Sequence, residues 1–134
     1  MLWNPHQYQQ NAVKFLVENG SGQLWLDPGL GKTSITLEAI KILKAANSIS
    51  KVLILAPLRP CYAVWPEEIS KWDNFNGMTI SVLHGSTKDK KLHDNSLIHV
   101  INFEGLQWLA ATIKRLGIKM PYDMLVVEIG RAHV

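Results

Sequence analysis

The chain has 134 residues, 47% of them hydrophobic and 19% charged, and a formal net charge of +3. That content suits one domain with a buried core and excludes a disordered or low-complexity segment; the basic excess is too mild to demand a nucleic-acid partner by itself. A lone cysteine, Cys61, excludes an internal disulfide and fits a reducing compartment.

The opening MLWNPHQYQQ has neither a positive n-region nor a long apolar h-region, and no apolar run approaches the length of a membrane span. A soluble, cytoplasmic protein is the expectation. Residues 8–18 place Ala12, Val13, Leu16 and Val17 at helical spacing, closed by Asn19 and Gly20. QLWL, Gln23 to Leu26, reads as a short strand. A glycine-bearing stretch follows, then a helix from Lys32 to Ala46 with Ile35, Ala39, Ile42 and Leu43 on its inner side. KVLILAP, from Lys51, is nearly all apolar, as a central parallel strand buried on both faces reads. WPEEISKW opens a helix: Pro66 suits the first helical position, and Glu67 and Glu68 suit the positive end of the dipole. MTISVLHG is a strand ending at Gly85, and the lysine-rich STKDKKLHD a surface segment. LIHVINF is a strand, EGLQWLAATIKRLG a helix stopped by Gly117, and YDMLVV a last strand.

Strands and helices alternate at short spacing. This is the signature of an α/β fold, a parallel sheet with helices on both faces in three layers. Ligands of such sheets sit at the carboxyl ends of the strands. LDPGLGKT, Leu26 to Thr33, occupies one such end. A strand-to-helix loop points backbone N–H groups inward and, with the helix N-terminus, makes an anion site. Glycines let the chain turn tightly and keep Cβ atoms away from the phosphates. A lysine adds charge for the β- and γ-phosphates, and a hydroxyl can ligate Mg²⁺. Gly29, Gly31, Lys32 and Thr33 therefore read as a P-loop. The full pattern G-x-x-x-x-G-K-[ST] has a glycine where this chain has Leu26, and Gly29 supplies one within the loop.

With these motifs placed, the chain resembles the first RecA-like domain of the Swi/Snf-type helicases and translocases of superfamily two, with phage and bacterial members nearest in style. PHQYQQNAVKFL resembles the entry segment of that family, where a glutamine reads the adenine; Gln9 is the matching residue. LDPGLGKT resembles motif I, including the acid before the glycines, here Asp27. VLILAPLRPCYAVWPEEISKW resembles motif Ia and the helix after it. VLHG and IHVINFEGL resemble the next two elements, and YDMLVV the strand that leads into motif II. The likeness runs from about residue 3 to residue 127.

The resemblance implies a nucleotide site at Asp27, Pro28, Gly29, Leu30, Gly31, Lys32, Thr33 and Ser34, with Gln9 on the base. Lys32 and Thr33 would carry the catalytic roles, and ATP and Mg²⁺ would be the cofactors, the metal held by the Thr33 hydroxyl. It implies DNA as partner, duplex ahead of single strand, with contacts at Pro57, Arg59 and Asn102. An asparagine at 102 reads equally as the cap of the next helix. A second RecA-like domain is expected in the full-length protein, in the cytoplasm of a bacterial or phage-infected cell and with no membrane role. Two other motors, a packaging ATPase and an RNA helicase, should lack the APLRP…WPEEISKW run. A non-catalytic DNA-binding remnant is the reading from a different class.

Two features depart from the family. Pro28 stands where a methionine is common. The family carries D-E-x-H or D-E-x-S directly after the last strand, and here EIGRAHV stands instead. IGRAHV resembles a translated sequencing-library adaptor, read in frame from the end of a DNA insert. On this reading residues 1–127 are a partial RecA-like domain and residues 128–134 an adaptor-like tail. The Glu128 codon begins with G, as an aspartate codon does, and Glu128, Arg131 and His133 receive no role.

The remaining chemistry-bearing residues read as structural. The five histidines show no i, i+4 pair, so no zinc site is expected. Trp65 and Trp72 share a helical face with Ile69 and read as core rather than as stacking platforms. Lys88, Lys90 and Lys91 read as a solvated loop. Cys61 has no partner histidine and reads as structural.

Overall fold

Five short apolar runs make one sheet. The computed structural model describes residues 32–57 and 63–128, the backbone of 23–26, and residues 2, 4 and 7. The helix read over 8–18, Cys61 and the tail after Glu128 lie outside the described residues. The strands are β1 (Gln23–Leu26), β2 (Val52–Leu55), β3 (Ile80–Val82), β4 (Ile98–Ile101) and β5 (Met124–Glu128). Their order is β1-β5-β2-β4-β3, and every pairing is parallel. The helices are α1 (Lys32–Ala45), α2 (Trp65–Lys71), α3 (Lys88–Leu92) and α4 (Leu106–Leu116).

Alternation along β2 divides the core. Val52 and Ile54 enter one cluster with Leu37, Ile40 and Leu43 of α1, Trp65 and Ile69 of α2, and Phe75. Leu53 and Leu55 enter the other, with Leu92 of α3 and Leu109 of α4. A strand buried on both faces needs an apolar residue at every position, which is why VLIL shows no polar alternation. The connections obey one rule. Those running from β1 toward β3 (α1, α2) lie on the first face, and those running back (α3, α4) lie on the second, as right-handed crossovers require.

Two local readings change. α1 buries Leu37 and Ile40 completely, whereas Ile42 is 37% exposed. The helix is covered both by the sheet and by α2, so its buried arc is wider than one stripe. The lysine-rich segment is not a plain loop: it forms a 3₁₀ turn, Gly85–Thr87, and then α3. Leu92 anchors α3 in the core, and the Lys88 ammonium lies 4.8 Å from the centre of the Trp108 ring.

The amino-terminal edge of the sheet is tied by polar groups. The Asp123 carboxylate accepts from the backbone N–H groups of Ser50 (2.8 Å) and Lys51 (3.1 Å). His99, inside β4, is completely buried. Its Nε2 lies 2.7 Å from Asp94 Oδ1 and its Nδ1 2.7 Å from Tyr122 Oη. Ser81 donates to the other oxygen of Asp94. Among the described residues no cluster of histidine, cysteine and acidic groups could hold a metal.

Candidate nucleotide and DNA edge of the sheet

The register of the strands decides what meets at the carboxyl edge. Leu26, the last residue of β1, is level with Glu128, the last of β5. Leu55, the last of β2, is level with Val127 and with Ile101, the last of β4. Four strand ends therefore finish side by side. Residues 56–57 and 102 leave the sheet at this one edge, and α1 begins at Lys32 after β1 has ended there. The backbone continues the alignment for one more residue, since the Ala56 amide donates to the Ile101 carbonyl at 3.0 Å.

Each expected site residue has a place relative to this edge. Gln9, Asp27, Pro28, Gly29, Leu30, Gly31 and Arg59 lie outside the described residues. Lys32 opens α1. Thr33 is half-buried and Ser34 buried in the same first turn, which holds no acidic residue. A first turn without a carboxylate leaves the positive end of the α1 dipole open to an anion as far as the helix's own residues go. Pro57 is half-buried just past β2.

Asn102 is buried just past β4. The capping reading of that residue does not hold: its side chain caps no helix, and its Nδ2 donates to Glu104 Oε2 at 3.3 Å. Gly105 seats it, because a Cβ there would lie 3.0 Å from Asn102 Oδ1 and 2.8 Å from Ile101 Cγ1.

One feature of the edge was not legible in the sequence. Glu128 is buried, and burial raises its carboxyl pKa, with Trp65 pulling it partly back. Among the described residues, Glu128 Oε2 and the indole Nε1 of the completely buried Trp65 both lack a well-formed hydrogen bond. The sequence marked Trp65 as core, which it is; only the fold brings it to the end of β5.

Comparison with known proteins bears on the same span. The family described as Type III restriction enzyme, res subunit, matches residues 2–127. The chain belongs to this family. Membership places it in helicase superfamily two, as the motifs implied, and the fold is a partial RecA-like region. "Putative protein p41" of Acyrthosiphon pisum secondary endosymbiont phage 1 is 28% identical over 130 residues, 94% of this chain and 28% of its own. The Sulfolobus solfataricus SWI2/SNF2 ATPase core, solved in complex with dsDNA, superposes with a TM-score of 0.70 at 24% identity. That superposition covers 93% of this chain and 26% of the archaeal one. A nuclease-deletion mutant of the Type ISP restriction-modification enzyme LlaGI, solved with a DNA substrate mimic, aligns over 96% of this chain and 13% of its own. Its identity is 24% and its TM-score 0.40. The chain thus spans about a quarter of the length of the phage relative and of the archaeal ATPase core, and 13% of the restriction-modification enzyme. Among the described residues no helix is long and apolar enough to cross a membrane.

Proposed function

We propose that this chain is the ATP-binding part of an ATP-dependent DNA helicase or translocase. The observation that supports the reading is the strand-end register: β1, after which Lys32 and Thr33 open α1, ends level with β5, and β2 and β4 end beside them. Backbone N–H groups of residues 29–31 and the α1 N-terminus would receive the phosphates, and Lys32 would neutralise the β- and γ-oxygens. Thr33 would hold Mg²⁺ through its hydroxyl; a first turn with two hydroxyls and no acid suits both partners. Mg²⁺, when bound, would offset the charge of the phosphates. Gln9 would read the adenine, with Asp27, Pro28, Leu30 and Ser34 shaping the pocket.

On this reading the acidic pair that holds metal and orients the attacking water follows Val127 in the parent protein. The arginine that stabilises the transition state comes from a second RecA-like domain. The 134-residue chain therefore binds nucleotide weakly and does not hydrolyse it. DNA would run across the strand ends, with Pro57, Arg59 and Asn102 on its phosphates, giving sequence-independent and salt-sensitive affinity. The duplex bound by the archaeal neighbour supports double-stranded DNA, and the phage relative supports a cytoplasmic setting in an infected cell.

The test is ATP hydrolysis by the chain carried through its own reading frame to the end of a second RecA-like domain. Hydrolysis should rise with duplex DNA, fall with added salt and be abolished by Lys32→Ala. Hydrolysis that survives Lys32→Ala would overturn the site, and stimulation by RNA but not DNA would overturn the partner.

A further inference from the structure

Trp65 carries a donor that its packing does not use. The side chain is completely buried, in the cluster that holds Ile35 and Leu37 of α1, Ala56 and Val126. Among the described residues its indole Nε1 has no well-formed hydrogen bond. A buried indole N–H ordinarily finds a partner, and leaving it without one costs the desolvation of the group. Core packing alone does not ask for an indole here, since a phenyl ring brings aromatic area with no donor to satisfy.

The alternation along β5 shows what the donor faces. Met124 and Val126 enter the cluster on the α1 face, whereas Leu125 and Val127 pack on the α4 face. Side chains alternate along a strand, so position 128 returns to the α1 face. It lies level with Leu26, the last residue of the strand that precedes α1. In this chain a buried carboxylate stands there, and Trp65 is the group that pulls its raised pKa partly back. Glu128 Oε2 nevertheless lacks a partner, so the two groups meet without a well-formed bond between them. The backbone of β5 sets this meeting. Whichever residue follows Val127 in the strand faces the same indole.

We infer that the Trp65 indole N–H is the donor that holds the acid standing at position 128 in the parent protein, an aspartate on the D-E-x-[HS] pattern. Trp65 is then a positioning residue. It touches neither nucleotide nor metal, and it fixes the carboxylate that the proposed site uses for Mg²⁺. Carboxylates that ligate metals are themselves held by hydrogen bonds from outside the ligand set. Glutamate, one methylene longer than aspartate, does not complete the bond, and both buried atoms stay unpaired in this chain. The inference rests on the reading that native chain continues past Val127 into an ATPase.

Two measurements test it. The first needs no ATP and uses the 134-residue chain. Trp65→Phe identifies the Trp65 signal among the five indole N–H signals of a ¹H–¹⁵N spectrum. Glu128→Asp should place that signal downfield of its position in Glu128→Ala, a larger difference than any other indole shows. The difference in unfolding midpoint between these two variants should shift against aspartate when both also carry Trp65→Phe. A Trp65 signal that ignores the exchange of aspartate for alanine would overturn the pairing. The second measurement is ATP hydrolysis by the chain carried through its own reading frame to the end of a second RecA-like domain. There Trp65→Phe should lower kcat about tenfold and raise the Mg²⁺ concentration for half-maximal rate, with KM for ATP held within about twofold. A lower unfolding midpoint with an unchanged Mg²⁺ requirement would overturn the role, because Trp65 would then serve packing alone. Pairing in the short chain beside an extended chain that never hydrolyses ATP would sink the nucleotide reading, and the positioning role with it, while the pairing stands.

Discussion

His99 is neutral because it is buried. Burial holds its pKa below 6.5, the Lys51 charge acts in the same sense, and Asp94 opposes both. For Asp94 burial acts upward, but hydrogen bonds from Ser81, His99 and Ser96 outweigh it and hold the carboxyl well below the usual range. An ionised Asp94 fixes the tautomer: His99 Nε2–H donates to Asp94, and the Tyr122 hydroxyl donates to Nδ1. The folded-state pKa of His99 lies below the unfolded one, so its contribution is complete above about pH 6.5 and falls as pH drops through that value. Denaturant midpoints between pH 5 and 8 should show that decline in the parent chain. His99→Phe should flatten it and cost about 1 kcal/mol for the lost hydrogen bond to half-buried Tyr122, while Asp94 keeps Ser81 and Ser96. An unchanged pH slope would contradict the assignment. Glu128 has the opposite sign. Its pKa is raised from 4.5, so an ionised carboxylate costs stability at neutral pH. Glu128→Gln should raise the unfolding midpoint at pH 7 and leave it unchanged at pH 4; a lower midpoint at pH 7 would show that the carboxylate has a partner.

At the scale of elements, two glycines separate backbone strain from crowding. Gly117 ends α4 at φ +66°, and a Cβ there would meet nothing within 4 Å. Gly117→Ala should cost about 1 kcal/mol through the left-handed backbone alone. Gly105 has ordinary backbone, but its Cβ would press on completely buried Ile101 and on Asn102. Gly105→Ala should cost about 1–3 kcal/mol, and thermal melts that rank it below Gly117→Ala would contradict this packing. The same elements show what the sequence discloses. β2, β4 and α4 were legible because apolar runs, periodicity and a terminal glycine announce them. α3 was not, because five residues rich in lysine carry one core anchor, Leu92. The His99 network was hidden because its partners lie 5 and 23 residues away in other elements. The one available signal was a histidine inside an otherwise apolar strand, IHVI. Trp65 was read correctly as core, but no spacing rule places it beside the end of β5.

On the scale of the molecule, the two edges of the sheet divide the work. The amino-terminal edge holds the strands in register through Asp123, His99 and Asp94. That register aligns the carboxyl edge, where Leu26, Leu55, Ile101 and Glu128 finish together. The family was legible from the motifs; the face of the sheet on which each connecting helix packs was not, because it depends on the strand order. If the edge is a nucleotide site whose acidic pair follows β5, the source DNA decides the matter. Reading that DNA past codon 127 should give D-E-x-[HS] in frame, followed by a second RecA-like domain. A native EIGRAHV followed by a stop would contradict the account, and the chain would then be a binding remnant rather than part of a motor.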